Sequence, residues 1–280
     1  VVAGMGDRQA EVLGAGILEP TRLEESTGTG STTATHVDEP KLDPKMRYVV
    51  TASAVKGKWT IEAGMSTAGA VLRWFRDQLV SQGEISARKD KKSVYDILEE
   101  KALSVPPGSG GIIFIPYFGG RQCPYDSRLR GGWIGLNWGH KREHLYRAIL
   151  ESIAYDYNAG LKLIREMFPE FKIKEILVTG GGSNSNLWNQ IKADVLGIPY
   201  VKLSSYEFAL RGCGIIAGYG LGVYQDIVSI AKNIKAEMRK EKFFPDDKNH
   251  KIYSAYSEIY QNIFFNSLQK TFHLLSEQKV

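Results

Sequence analysis

The pattern of hydrophobic and polar residues along the chain predicts strands alternating with helices, the order typical of an α/β protein. Runs of β-branched or alternating residues predict the strands, with a hairpin turn at 56–58. Apolar residues at helical spacing, such as Val71, Phe75 and Leu79, predict the helices. The predicted strands are 1–3, 34–37, 48–55, 59–63, 111–116, 173–178 and 199–203, and the predicted helices are 8–15, 66–79, 94–103, 143–168, 186–196, 209–221, 226–239 and 252–275.

Two stretches lack either pattern. Residues 83–92 are polar and charged, which predicts an exposed loop. Residues 117–137 form a longer irregular segment, and segments of that length inside a compact domain are usually functional. The chain also opens at Val1 with no initiator methionine or signal-like segment, as if it began inside a strand.

Composition excludes several classes of protein. The 280 residues fit one large domain or two small ones, and 43% hydrophobic with 24% charged residues is a globular composition. No apolar run reaches the ~18 residues of a membrane span. A net charge of +5 is too small to indicate a nucleic-acid partner by itself, and the charges are interspersed, so no such partner is predicted. Two cysteines favour a reducing cytoplasm, and the histidines show no metal-ligand spacing, so no metal site is predicted within the chain.

Glycine-rich segments are the first candidates for chemistry. Gly180, Gly181 and Gly182 lie between a predicted buried strand and a predicted helix, where backbone N–H groups can bind an anion or a nucleotide. The same glycines would also suit a tight connection that binds nothing. Residues 26–32, Ser-Thr-Gly-Thr-Gly-Ser-Thr, could fold around phosphate oxygens or form a simple hydroxyl-rich hairpin turn. Neither segment is a Walker loop or a dinucleotide fingerprint.

Asp7 is the candidate carboxylate. It follows Gly4-Met5-Gly6 at the end of the first predicted strand, where it could face a cleft. It also stands where the N-cap of the next helix is expected, and the residues alone favour that structural role. The two roles are sterically compatible.

Several segments together resemble the FGGY family of carbohydrate kinases. Residues 131–136 (Gly-Gly-Trp-Ile-Gly-Leu), a seven-residue gap and then residues 144–151 (His-Leu-Tyr-Arg-Ala-Ile-Leu-Glu) resemble the family's second signature. Residues 114–120 look like its Pro-Tyr-x-x-Gly segment, and 178–188 are similar to its adenosine-binding turn. Gly4-Met5-Gly6-Asp7 and residues 28–30 look like its catalytic and β/γ-phosphate segments. The resemblance runs from residue 1 to about residue 265.

The resemblance implies an actin-like ATPase (ribonuclease-H-like) fold, with a central mixed sheet and helices on both faces. It implies that residues 1–280 form a single C-terminal kinase domain, with a helical tail at about 223–280 packed on it. The family's N-terminal domain, which carries most sugar contacts, has no match here. That domain of the same protein is therefore an expected partner, and exposure of the surface that meets it also leaves a homodimer open.

The resemblance also implies the roles of single residues. Asp7 would be the catalytic base, Gly28 and Thr29 would hold the β- and γ-phosphates, and Gly181 and Gly182 would line the adenosine site. Ser183 and Asn186 are expected to complete that adenosine site. The implied cofactors are ATP and Mg²⁺, with the Mg²⁺ site completed by the absent domain.

The substrate expected from the resemblance is a small sugar or polyol. Met5 stands where xylulokinase-like members tend to have a third glycine, and residues 28–30 lean toward the glycerol-kinase wording. We therefore expect the nucleotide-binding half of an ATP-dependent kinase, xylulokinase-like first and glycerol-kinase-like second, inactive by itself. The alternatives are a non-catalytic actin-like nucleotide-binding module and an unrelated α/β enzyme that uses Asp7 on a small metabolite.

Overall fold

A computed structural model describes residues 2–65, 67–81, 92–204, 207–237 and 240–278. The strands are β1 (Arg22–Thr27), β2 (Ser31–Val37), β3 (Val49–Ala52), β4 (Trp59–Met65), β5 (Ile113–Pro116), β6 (Gly131–Ile134), β7 (Glu175–Thr179), β8 (Tyr200–Leu203) and β9 (Lys240–Phe243). The helices are α1 (Asp7–Gly14), α2 (Gly69–Leu79), α3 (Val94–Leu103), α4 (Arg142–Met167), α5 (Asn186–Leu196), α6 (Phe208–Gly220), α7 (Ile227–Glu237), α8 (Asp247–Ile263) and α9 (Gln269–Glu277). A π-helical segment, Phe264–Leu268, joins α8 to α9.

The central sheet is mixed. Its strand order is β3–β4–β2–β1–β7–β8–β9. β1, β7 and β8 run parallel to one another, and the remaining neighbours pair antiparallel. Strands β5 and β6 pair separately as a two-stranded ribbon. Because the carboxyl ends of the parallel strands β1 and β7 reach the same edge of the sheet, the turns that follow these strands are neighbours.

Helices cover both faces of the sheet, as predicted. Leu177 of β7 points into a cluster with α1 and α6, which includes Val12 and Phe208. Its neighbours Ile176 and Val178 point to the opposite face, into the large core that α2, α3, α4, α5 and α8 build. This alternation is the period of two that a strand buried on both faces requires.

Some predicted elements are absent and some observed strands were not predicted. Residues 2–6 form no strand, so the predicted strand at 1–3 is wrong for the residues described there. Strands β1, β6 and β9 were missed because Glu24 and Glu25, the glycines of β6 and the lysines of β9 do not look like strand residues. The predicted loop at 83–92 lies outside the described residues except for its last position.

The C-terminal segment after residue 222 is built into the fold. It contributes β9 to the sheet edge beside β8, and Tyr253 and Tyr260 of α8 are buried in the large core. Its description as a tail on a single domain stays a prediction. In the part of the chain that the structure describes, no helix has the length and apolar character needed to cross a bilayer.

A buried histidine makes the fold sensitive to acid. Burial in β2 and the nearby Lys58 ammonium lower the pKa of His36 from 6.5 to about 4, and its Nε2 lies 2.6 Å from the Ser53 hydroxyl. As the pH falls below 6.5, His36 is protonated in the unfolded chain but stays neutral in the folded chain. The contribution of His36 to the free energy of unfolding is therefore fully present above pH 6.5 and is lost as the pH falls toward 4. The loss is up to about 3 kcal/mol.

We expect His36→Gln, which keeps a polar group near Ser53, to lose less stability than the wild type between pH 7.5 and pH 4.5. Urea unfolding at both pH values measures this difference. Equal losses in the two proteins would remove His36 as the cause of acid sensitivity.

Candidate functional site

The first glycine turn, residues 28–30, connects β1 to β2. Its ends are held by the antiparallel pair Thr27 and Ser31. The Gly28 N–H donates to the Gly30 carbonyl at 2.9 Å, which closes the turn. A Cβ added at Gly28 would meet nothing within 4 Å, so this residue faces open space.

The N-terminus of α2 is packed directly against the first glycine turn. The N–H groups of Gly69 and Ala70 donate to the carbonyls of Gly28 and Thr29, at 3.1 and 2.9 Å. A Cβ at Gly69 would lie 2.1 Å from the Gly28 carbonyl oxygen, so only glycine permits this approach. Helix α2 therefore fixes the position of the turn through backbone contacts.

The second glycine turn, residues 180–182, follows β7. Gly180 has φ 72° and ψ −177°, a conformation that essentially only glycine adopts. A Cβ there would lie 2.6 Å from the Thr27 carbonyl oxygen. The chain then makes a short 3₁₀ turn, Gly181–Asn184, and enters α5, whose first turn is capped by the Ser185 hydroxyl accepting from the Trp188 N–H at 3.0 Å. The second glycine turn therefore packs against Thr27, the residue directly before the first glycine turn.

Both glycine turns open on one cavity of about 470 Å³, a volume in the usual range for a small-molecule site. Gly28, Thr29, Gly181 and Gly182 lie in its wall. The other wall comes from α2, α3 and α4, with the side chains Leu72, Arg73, Tyr95, Asp96, Glu99 and Tyr146.

Charge is distributed unevenly along the cavity. The Arg73 Nη2 lies 3.5 Å from the Thr29 hydroxyl, so a cation stands beside the first glycine turn. Glu99 and Asp96 belong to the α3 wall, and burial raises the pKa of Glu99 while its hydrogen bond with Ser185 acts against that rise. The cavity can therefore take an elongated ligand with an anionic group at the first turn and hydroxyl or amino groups near α3.

Asp7 is the first residue of α1 and is exposed. The N-cap is Gly6, with no side-chain cap, so the interpretation of Asp7 as the N-cap is wrong. The Asp7 carboxylate instead accepts from the Arg8 N–H at 2.9 Å. Asp7 is not in the wall of the cavity, so a group that contacts its exposed carboxylate would approach from outside the cavity.

Helix α1 is anchored at the same sheet edge as the glycine turns. Its Glu11 accepts from the hydroxyls of Ser26 and Thr179, at 3.0 and 2.9 Å. Thr179 is the last residue of β7, directly before the second turn, and Ser26 is the second-last residue of β1, two positions before Gly28. Asp7 is one helical turn before Glu11. It therefore lies at the end of the sheet where the cavity lies.

Residues 24–221 match the C-terminal domain of the FGGY family of carbohydrate kinases. This chain belongs to that family. It is 30% identical over 264 residues to a gluconokinase from Bacillus subtilis (strain 168), covering 94% of this chain and 50% of the relative. Its fold superposes with a TM-score of 0.81 on xylulose kinase from Rhodospirillum rubrum, at 25% identity, over 97% of this chain and 52% of that one.

A Plasmodium falciparum glycerol kinase with ADP has a TM-score of 0.73 at 20% identity, over 94% of this chain and 50% of that one. The FGGY chain described here thus spans about half the length of the relatives it matches. These likenesses confirm the predicted FGGY membership and the predicted actin-like ATPase fold.

The structure brings together four of the predicted FGGY site residues, Gly28, Thr29, Gly181 and Gly182. Ser183 is buried behind them, and its hydroxyl donates to the Gly180 carbonyl at 2.7 Å. Asn186 is exposed outside the cavity wall, 3.5 Å from a Glu241 oxygen. The assignments of all six to a nucleotide stay predictions.

Sequence reasoning missed the wall opposite the glycine turns. Arg73, Tyr95 and Glu99 lie on two amphipathic helices, where a polar residue on the outer face looks like any solvated one. No spacing in the sequence distinguishes them.

The described residues contain no group of three or more His, Cys, Asp or Glu side chains arranged for a metal ion.

Proposed function

We propose that this chain is the nucleotide-binding half of an ATP-dependent sugar or polyol kinase. The observation that carries the proposal is the single cavity shared by two glycine turns, at the carboxyl ends of the parallel strands β1 and β7. Backbone N–H groups and small residues at such an edge suit a phosphorylated ligand.

In this proposal each turn binds one end of the nucleotide. Gly28 and Thr29 bind the β- and γ-phosphates, with the Arg73 guanidinium close enough to Thr29 to add positive charge. Gly181 and Gly182 lie against the adenosine, and the carboxylate of Glu99 is placed to accept from its hydroxyl groups. The glycerol kinase with ADP noted above has the same fold, which supports this assignment.

Asp7 acts as the base. It accepts the proton of the attacking sugar hydroxyl while the oxygen of that hydroxyl bonds to the γ-phosphorus, and the bond from that phosphorus to the β,γ-bridging oxygen breaks to leave ADP. Mg²⁺, when bound, neutralises phosphate charge. Mg²⁺ commonly binds one or two protein carboxylates together with the phosphates of the substrate. We assign the completion of this site to the N-terminal domain.

The sugar would be bound largely by that N-terminal domain. Xylulose, glycerol and gluconate are the substrates to test, since the similar proteins include kinases named for each of them. We place the protein in the cytoplasm, in keeping with its two free cysteines.

Gly181→Ala tests the nucleotide site. A Cβ at Gly181 meets nothing in the protein, so the fold should be unchanged, but the methyl group projects from the cavity wall. We expect ADP affinity, measured by calorimetry on the 280-residue chain, to fall tenfold or more with no change in Tm.

Gly214→Ala is the matched control, because a Cβ there also meets nothing within 4 Å but lies on α6, outside the cavity. It should bind ADP like the wild type. Equal ADP affinity in the Gly181→Ala and Gly214→Ala variants, or no ADP binding by the wild-type chain, would contradict the proposed site.

A further inference from the structure

A fully buried ion pair lies behind the nucleotide cavity. The Nζ of Lys192 in α5 is 2.6 Å from the Oε2 of Glu25 in β1, and both side chains have no exposed surface. The ammonium also lies 4.3 Å from the centre of the Trp188 ring. Neither charged side chain lines the cavity. Burying two charges is costly, and a hydrophobic pair of similar volume is often at least as stable, so stability alone does not explain this pair.

Each member of the pair belongs to an element that carries one of the glycine turns. Glu25 lies two residues before the end of β1, which runs into the first turn. Lys192 lies in α5, which the chain enters directly after the second turn and the short 3₁₀ segment. The ion pair is therefore a direct link between the supports of the two turns.

The other oxygen of Glu25 reaches the first glycine turn itself. The Thr27 hydroxyl donates to Oε1, and the Ser31 hydroxyl lies 3.4 Å from the same atom. Thr27 and Ser31 are the two residues that hold the ends of the turn. The Glu25 carboxylate thus contacts Thr27 and Ser31 at the two ends of the first glycine turn, and it also contacts Lys192 of α5.

Tyr157 of α4 completes the arrangement. Its hydroxyl donates to the Ser31 Oγ at 2.6 Å and lies 3.1 Å from the Thr27 Oγ1. Burial, with the charge of Glu25, raises the pKa of Tyr157, so the phenol keeps the proton that it donates. Tyr157 is likewise absent from the wall of the nucleotide cavity.

We propose that Glu25, Tyr157 and Lys192 form a turn clamp, a set of positioning residues that fixes the distance between the phosphate-binding and adenosine-binding turns without touching the nucleotide. The proposal rests on the proposed function. A ligand that spans both turns gains from a fixed spacing, because no binding energy is then spent on ordering the turns. A ligand that occupies only the second turn does not.

The ratio of AMP to ADP dissociation constants separates positioning from folding. ADP reaches the first turn with its β-phosphate, whereas AMP does not. We expect the double variant Glu25→Gln with Lys192→Met, which leaves no unpaired buried charge, to lose ADP affinity tenfold or more in the 280-residue chain while AMP affinity changes less than twofold. Tyr157→Phe, which loses only the hydroxyl, should show a smaller loss of about threefold to tenfold, again for ADP alone.

A second buried ion pair provides the control. Arg147 and Glu151, both in α4, are 2.8 Å apart and almost fully buried, away from the cavity wall. The double variant Arg147→Met with Glu151→Gln should keep the wild-type ratio of AMP to ADP dissociation constants. The turn clamp is overturned if the ratio of AMP to ADP dissociation constants changes in this control variant as well, or if the ratio stays at the wild-type value in the Glu25→Gln with Lys192→Met variant. The proposed function stands in both cases. Failure of the wild-type chain to bind ADP would instead overturn the proposed function.

Discussion

Asp7→Asn is expected to lower kcat by about 10²–10⁴-fold in a kinase that joins this chain to a sugar-binding N-terminal domain, because proton acceptance contributes a factor of this size. The amide has nearly the shape of the carboxylate but cannot take the proton of the attacking hydroxyl. Sugar-dependent release of ADP, followed in a coupled assay, measures the change. ADP affinity should stay within twofold of the wild type, since Asp7 is not in the cavity wall.

Asp247→Asn is the matched control for this prediction. Asp247 is, like Asp7, an exposed acidic residue at the first position of a helix, but it begins α8 and lies outside the cavity wall. A general effect of removing a carboxylate from a helix N-terminus would appear in both variants. The role of Asp7 as the base does not survive if Asp7→Asn keeps kcat within tenfold of the wild type.

The sequence predicted well the elements whose hydrophobic pattern is decided locally. Helices α3 and α5 begin and end where the apolar spacing and capping residues place them, at 94–103 and 186–196. The glycine turns could be recognised too, since the glycine demanded by the φ of 72° at residue 180 is visible in the sequence itself.

Strand β1 could not be predicted from its own residues. Glu24 and Glu25 are wholly buried, which the sequence alone gives no reason to expect. The partners that make this tolerable, Lys192 for Glu25 and Thr179 for Glu24, are more than 150 residues away along the chain. Burial and the neighbouring Glu11 raise the pKa of Glu24, a further result of tertiary contacts alone.

The same limit applies to the candidate site. The sequence identified both glycine turns and the candidate carboxylate Asp7, but it placed Asp7 at the N-cap, because the cap and first-turn positions differ by one residue. Only the structure shows that Gly6 occupies the cap and that Asp7 comes after it. To predict that α2 and α3 form the opposite wall of the cavity, one must know which helix faces which turn. No local sequence pattern gives that information.

Helix α1, which begins with Asp7, is held against α6 by two glycines. A Cβ at Gly14 would lie 1.9 Å from the Phe208 carbonyl oxygen, and one at Gly212 would lie 2.0 Å from the Ala10 carbonyl oxygen. Both obstacles are backbone atoms of helices, which cannot rotate away as a side chain can. Gly14 of α1 and Gly212 of α6 are therefore both required for this close contact.

Gly212→Ala is expected to cost roughly 1–3 kcal/mol of stability, because the added methyl group must push the two helices apart. The same change should lower kcat in the complete kinase, since displacing α1 displaces Asp7, while ADP affinity changes less. Thermal unfolding and the coupled assay measure the two effects. Gly214→Ala, two residues along the same helix with open space at its Cβ, should lower neither, since alanine favours the helix more than glycine does. If Gly212→Ala matched Gly214→Ala in Tm and kcat, the contact of α1 with α6 would not be what fixes Asp7.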